Sequence, residues 1–158
     1  MSEPRRSVTD RLAAAAPAVG RVGVLVVLVA VYAVLVMAAL GRSIFQIVDH
    51  FGKAPAAITI SAGSAVVYIV AMVALIIHRG VWYRVAWVTV CVEFAGVLIV
   101  GFITTLSPDA LGTGSGNAFG DTSTVWTVFG QGYWFVPAVL PLAGMWWLRR
   151  HPVRAVAR

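Results

Sequence analysis

Residues 85–106 read VAWVTVCVEFAGVLIVGFITTL, an almost continuous run of apolar side chains that contains one carboxyl group, Glu93. A helix of about 20 residues crosses the roughly 30 Å hydrocarbon core of a bilayer, and this run is long enough to do so. Because lipid offers no hydrogen-bond partner, a crossing segment must pair its own backbone N–H and C=O groups. The run is therefore predicted to be a transmembrane helix.

Three further apolar runs accompany it, at residues 22–40, 56–77 and 125–148. Across the chain 60% of residues are hydrophobic and 11% are charged, which leaves too few charges to cover the surface of a water-soluble domain. The runs lack the alternation of apolar and polar residues that is typical of outer-membrane strands. The chain is therefore predicted to be an all-α membrane protein, with a four-transmembrane-helix bundle over residues 22–148.

The fourth run differs from the others because it contains Pro137 and Pro141. Each proline removes a backbone donor and crowds the carbonyl four residues earlier, so a kinked fourth helix is predicted. The run opens with aromatic residues and glycines, which favours either an aromatic belt at the membrane surface or a patch that contacts a partner. The candidate outer-interface patch consists of Trp126, Gln131, Tyr133 and Trp134.

The basic residues predict the orientation of the chain. Ten of the 12 lysines and arginines lie in the N-terminal tail (residues 1–21), in the turn at 78–84 and in the C-terminal tail (residues 149–158). Arg42 and Lys53 are the two on the opposite side. The positive-inside rule therefore predicts a multi-pass protein of the cytoplasmic membrane with both termini in the cytoplasm. The same placement explains the net charge of +6 without a nucleic-acid partner.

Glu93 is the first candidate site. A carboxylate at the bilayer centre costs about 2.5 kcal/mol or more, so Glu93 is expected to face the bundle interior. At a rise of about 1.5 Å per residue, Glu93 lies roughly 12 Å, and Tyr32 and Tyr68 roughly 15 Å, above the cytoplasmic ends of their helices. With Thr89 on the same helix face, these residues form a candidate intramembrane polar site. Three roles stay open: a dry structural contact, a proton or cation site, and an interface to another membrane subunit.

Other kinds of site find little support. The histidines, His50, His78 and His151, lie in separate linkers and tails without ligand spacing, so no metal site is predicted. No arrangement of nucleophile and base stands out, so no catalytic residue, no cofactor and no enzymatic activity is predicted. The glycine-rich stretch at 112–120 is interpreted as a linker, because a nucleotide-binding loop would need a strand before it.

The layout resembles small four-span integral membrane proteins of actinobacteria, for which no activity is known. The resemblance rests on an arginine-flanked first span, the stretch at 92–97 (VEFAGV), and the closing FGQGY, FVP, LPL and WWLR motifs between residues 129 and 149. The length and the lone membrane glutamate are shared with small multidrug-resistance exporters, but the chain departs from their pattern, because their glutamate lies in the first helix and Glu93 lies in the third.

The resemblance and the residues together favour a non-catalytic accessory or assembly component. Its expected partners are the lipid bilayer and either other membrane subunits or a second copy of the chain. The alternative is a small proton-coupled or cation-conducting transporter that uses Glu93.

Overall fold

The computed structural model describes residues 8–50, 55–107 and 123–153. The glycine-rich loop and both chain ends, for which the sequence predicts a linker and basic tails, lie outside the described residues. The described elements are helix α1 (Val8–His50), α2 (Pro55–Ile77), α3 (Val81–Leu106), a 3₁₀ helix (Thr127–Tyr133) and α4 (Val136–Arg150). No strand occurs among the described residues, so the prediction of an all-helical protein is confirmed for them.

Three helices are long and apolar enough to cross a membrane. The qualifying segments are Val22–Phe45 within α1, Ile58–Ile77 within α2, and Val81–Leu106, which is the whole of α3. Their outward faces carry apolar side chains that would be unfavourable in water. The exposed fraction is 59% for Val26 and 62% for Val88. Contiguous apolar surface of this kind is suited to contact with lipid, so the structure is compatible with an integral membrane protein.

Helix α1 extends beyond the predicted first span at both ends. It begins at Val8, inside the segment predicted as a tail, where the alanine run at 13–16 has high helix propensity. It ends at His50, so the residues after Arg42 continue the first helix.

The helices pack in chain order. Helix α2 lies between α1 and α3, and α3 also packs against the 3₁₀ helix and α4. Contact between α1 and α4 is slight, so the seam between them is the least closed part of the bundle.

The fourth apolar run is divided into two pieces, and this differs from the predicted continuous helix over residues 125–148. Helix α4 starts at Val136, and Pro137 therefore occupies its first turn, where a proline is well tolerated because its missing N–H would be unpaired anyway. Pro141 lies inside α4, which continues to Arg150. The interruption thus precedes both prolines.

Left-handed backbone causes the interruption. Val128 (φ 47°), Phe129 (φ 57°) and Gly130 (φ 79°) are left-handed inside the 3₁₀ helix, and Trp134 (φ 57°) and Phe135 (φ 58°) are left-handed just after it. This conformation is uncommon for residues other than glycine and is a strong outlier for the β-branched Val128. The chain adopts it only because surrounding contacts hold it there.

Hydroxyl groups supply many of those contacts. The backbone N–H of Val128 donates to Oγ1 of Thr104 on α3 at 2.9 Å, and that of Thr124 donates to Oγ1 of Thr127 at 2.7 Å. Arg42 donates from Nη1 to the Ser123 carbonyl oxygen at 3.1 Å and also to the Ser123 hydroxyl. Several polar groups of residues 123–135, called the irregular segment below, thus find partners inside the protein.

Two glycines of α3 let the irregular segment approach closely. We expect Gly96→Ala and Gly101→Ala to destabilise the protein. An added Cβ would lie 2.5 Å from a ring atom of Trp126 at Gly96, and 2.5 Å from a ring atom of Phe129 at Gly101. Overpacking of this kind costs about 1–3 kcal/mol. The melting temperature of each variant in mild detergent, followed by tryptophan fluorescence, measures the effect.

Gly63→Ala on α2 is the matched control, because no atom lies within 4 Å of a Cβ added there. Alanine exceeds glycine in helix propensity by up to about 1 kcal/mol, so this variant should melt at the same temperature or higher. Equal melting temperatures for all three variants would contradict the close packing of the irregular segment on α3.

Candidate functional site

Glu93 lies in the centre of the bundle. Its exposed fraction is 0%, and it is the only charged residue among the buried residues that the structure describes. It shares a buried face of α3 with small and apolar side chains, including Ala86, Val90 and Val97. Val88 and Ile99, on the opposite face of α3, are 62% and 59% exposed. The predicted inward orientation of Glu93 is confirmed.

Tyr32 of α1 holds the carboxyl group of Glu93. Its hydroxyl donates a hydrogen bond to Oε2 of Glu93 at 2.8 Å, and the exposed fraction of Tyr32 is also 0%. The two residues are 61 positions apart in the chain. The rise of a helix predicts similar depths for the two residues, and the contact shows that α1 and α3 bring them together.

Tyr68 and Trp126 extend this contact. The ring of Tyr68 on α2 meets that of Tyr32 edge-on, with centroids 6.2 Å apart. The indole N–H of Trp126 donates to the Tyr68 hydroxyl oxygen at 2.8 Å, and these rings are nearly perpendicular at 87°. We call Glu93, Tyr32, Tyr68 and Trp126 the polar chain. It joins α3, α1, α2 and the irregular segment, in that order.

One oxygen of Glu93 has no partner. Oε1 is buried and makes no hydrogen bond with the part of the chain that the structure describes. Leaving a buried polar atom unsatisfied costs about 1–3 kcal/mol, and more for a charged group. Such an atom is uncommon enough in a folded protein to need a specific explanation.

Thr89 does not join the polar chain, although the sequence places it on the same face. Its hydroxyl donates to the carbonyl oxygens of Val85 and Ala86, at 2.9 Å and 3.1 Å, one turn earlier in α3.

On α4 the residue beside Tyr32 is Gly144, where an added Cβ would lie 3.7 Å from the tyrosine hydroxyl oxygen.

The four residues of the predicted outer-interface patch do not form one surface. Trp126 is 7% exposed and belongs to the polar chain, whereas Trp134 is 92% exposed. Gln131 is exposed, and Tyr133 is half-buried beneath the guanidinium group of Arg42, whose Cζ lies 5.6 Å from the ring centroid. The patch therefore divides into a buried anchor and an exposed rim.

Sequence reasoning missed a layer of buried hydroxyl groups near the Arg42 end of the bundle. The alignment of Ser61, Ser64 and Tyr68 on one face of α2 was its only visible signal. The hydroxyl residues in this layer are less than a tenth exposed: Ser43, Ser61, Ser64, Thr104, Ser123, Thr124 and Thr127.

A second missed cluster lies at the opposite end of the bundle. Nε2 of His78 donates to the carbonyl oxygen of His151 at 2.9 Å, and the Tyr83 hydroxyl donates to the carbonyl oxygen of Leu148 at 3.3 Å. The ring of Trp147 lies between the two imidazoles, with centroid distances of 4.6 Å and 4.7 Å. No group of three or more residues able to hold a metal ion occurs within residues 8–50, 55–107 and 123–153.

Comparison of the chain with protein-family models, with curated proteins and with solved structures found no match.

A double-mutant cycle measures the contact between Tyr32 and Glu93. We expect Tyr32→Phe and Glu93→Met each to lower the free energy of unfolding, and the double variant to lose less than the sum. Hydrogen bonds between membrane helices contribute about 0.6 to 1.7 kcal/mol, which is the coupling expected here. Reversible unfolding in mixed detergent micelles gives the four free energies.

The control cycle pairs Glu93→Met with Tyr83→Phe. Tyr83 bonds to Leu148 at the other end of the bundle and shares no partner with Glu93, so the two effects should add within about 0.3–0.5 kcal/mol. A coupling free energy of the same size in both cycles would contradict a specific stabilising contact between Tyr32 and Glu93.

Proposed function

We propose that the protein crosses the cytoplasmic membrane four times. The irregular segment and α4 together make the fourth crossing. In support, Ser123 is bound by Arg42 at one end of the bundle, and His151 is bound by His78 at the other. The chain therefore passes from one end to the other between these residues. Irregular backbone is tolerated at membrane depth where it is buried in protein, and residues 123–127 of the irregular segment are buried.

Both termini lie in the cytoplasm in this proposal. The end of the bundle that contains His78 and His151 also carries Arg79, Arg84 and the last turn of α4, which contains Arg149 and Arg150. Arg150 lies over the ring of Trp146, at 4.7 Å from its centroid. An amphipathic aromatic ring next to a cation is typical of the interface between lipid and water.

The proposed role is that of a non-catalytic accessory or assembly component. The observation that carries it is the polar chain, in which the fully buried Glu93 binds Tyr32 of its own chain. Four parts of the fold meet at this set of side chains, so Glu93 contributes to the arrangement of the helices. The exposed apolar faces of α1, α2 and α3 are then available to lipid or to another membrane subunit.

The second candidate is a small proton-coupled or cation-conducting transporter. The unpartnered Oε1 of Glu93 favours it, because a buried carboxyl oxygen without a hydrogen bond is able to hold a proton or to contribute to a cation site. The accessory role and the transporter role predict different effects of a substitution at Glu93.

Labelling of single cysteines tests the topology. In a Cys91→Ala background, Ser115→Cys places a thiol in the glycine-rich loop and Ser7→Cys places one in the N-terminal tail. We expect a maleimide that cannot cross membranes to label the loop position in intact cells and the tail position only after lysis. Labelling of the tail position in intact cells would rule out a cytoplasmic N-terminus.

Glu93→Gln tests the role. If the protein is an accessory component, we expect the variant to melt at a lower temperature or to lose proteins that co-purify with the wild type. Reconstituted wild type and variant should then pass equal, background levels of protons and cations into vesicles.

A transporter would behave differently. Wild-type flux would exceed that of empty vesicles, and Glu93→Gln would abolish it without changing the melting temperature. Cys91→Ser is the control on the same helix, because Cys91 lies on the exposed face of α3 and should change neither stability nor flux.

A further inference from the structure

An apolar groove runs along the seam between α1 and the residues that lead into α4. Its volume is about 460 Å³, and it is lined by Ala30, Val31, Val34 and Leu35 of α1 and by Gly132, Tyr133, Trp134 and Val136. Val31 and Leu35 line one wall, and Tyr133 and Val136 line the other. Trp134, with 92% of its surface exposed, stands at the rim. The groove is open where α1 and α4 make their slight contact.

The groove lies on the same face of α1 as the cationic side chain of Arg42. Leu35 and Val31 precede Arg42 by seven and eleven positions, which is two and three turns of helix, so all three share one face of α1. At about 1.5 Å per residue, the groove extends roughly 10 to 16 Å below Arg42. Tyr133 connects the two features, because its ring lines the groove and lies beneath the Arg42 guanidinium group.

The guanidinium group of Arg42 is held in one orientation through Nη1, and its other N–H groups are available as donors. Its Nη1 atom is held by the carbonyl and hydroxyl oxygens of Ser123. Within the described residues, the hydrogen bonds of Arg42 are made by Nη1. The side chain is half-buried. A guanidinium group held in this way presents its remaining N–H groups to an anion, and the planar fork matches the oxygens of a phosphate group.

We propose that this groove is a phospholipid site, in which one acyl chain fills the groove and the lipid phosphate binds Arg42. The depth supports the assignment, because half of a bilayer core is about 15 Å and the groove reaches a comparable distance below the arginine.

This site is separate from Glu93 and does not depend on the role proposed for it. It combines a charged contact at the membrane surface with an apolar contact in the lipid interior. A ligand that carries both groups should therefore bind more tightly than a ligand that carries one. Orientation in the cell does not affect this comparison, so the experiment is made on the whole chain in detergent.

Native mass spectrometry of the purified protein counts the lipids that stay bound. We expect one phosphatidylglycerol molecule per chain. Diacylglycerol with the same acyl chains should bind about fivefold more weakly, because one basic residue near the surface contributes roughly that factor. Glycerol phosphate, which has no acyl chain, should not compete. Equal binding of the two lipids, or competition by glycerol phosphate, would overturn the proposal.

Two substitutions test the two halves of the site. Arg42→Gln should make phosphatidylglycerol and diacylglycerol bind equally. Ala30→Phe places a ring in the groove and leaves Arg42 intact. It should weaken the binding of both lipids about tenfold. Val27→Phe is the matched control, because Val27 is 62% exposed and lies outside the groove.

The melting temperature of each variant shows that it is folded, and the Ala30→Phe result stands even if Arg42→Gln unfolds the protein. Unchanged lipid binding by Ala30→Phe would exclude the groove as the site. Replacement of the bound lipid by a second copy of the chain, seen as a dimer mass, would likewise overturn the proposal.

Discussion

The absence of water from the lipid interior is the constraint on which the rest of this structure depends. A polar group at that depth has to find its partner within the protein. Glu93 and the irregular segment are the two parts of the fold for which this requirement is hardest to meet. Glu93 brings a buried carboxyl group, and the irregular segment brings backbone that lies outside the α-helices. Side chains from the first three helices meet part of this requirement: Tyr32 binds Oε2 of Glu93, and Thr104 binds the backbone of the irregular segment.

The contact between Tyr32 and Glu93 is linked to the irregular segment through Trp126. Its ring lies against Gly96 of α3, and its N–H group binds Tyr68, which contacts Tyr32. The irregular segment therefore reaches the polar chain only because α3 has no side chain at position 96. A continuous helix over the fourth run would place Trp126 differently, so the left-handed residues and the polar chain belong to one arrangement.

The sequence predicts some of these features and not others, for physical reasons. Long apolar runs specify helices α1 to α3, and the uniform rise of a helix is enough to place Tyr32 and Glu93 at one depth. The left-handed conformation of Val128 and Phe129 has no local signal, because neither residue favours it and tertiary contacts impose it. The aromatic neighbours of Trp126 suggest an interfacial position, and they give no sign that Gly96, 30 positions earlier in the chain, leaves room for its ring in the core.

The unequal closure of the bundle follows from where its polar contacts lie. Helices α1, α2 and α3 are joined by Tyr32, Tyr68 and Glu93, whereas α4 contributes to that region only the close approach of Gly144. The fourth part of the bundle is instead fixed at its ends, by Arg42 on Ser123 and by His78 on His151. Between those two attachments nothing polar draws α4 against α1. An open apolar seam at that position is the consequence.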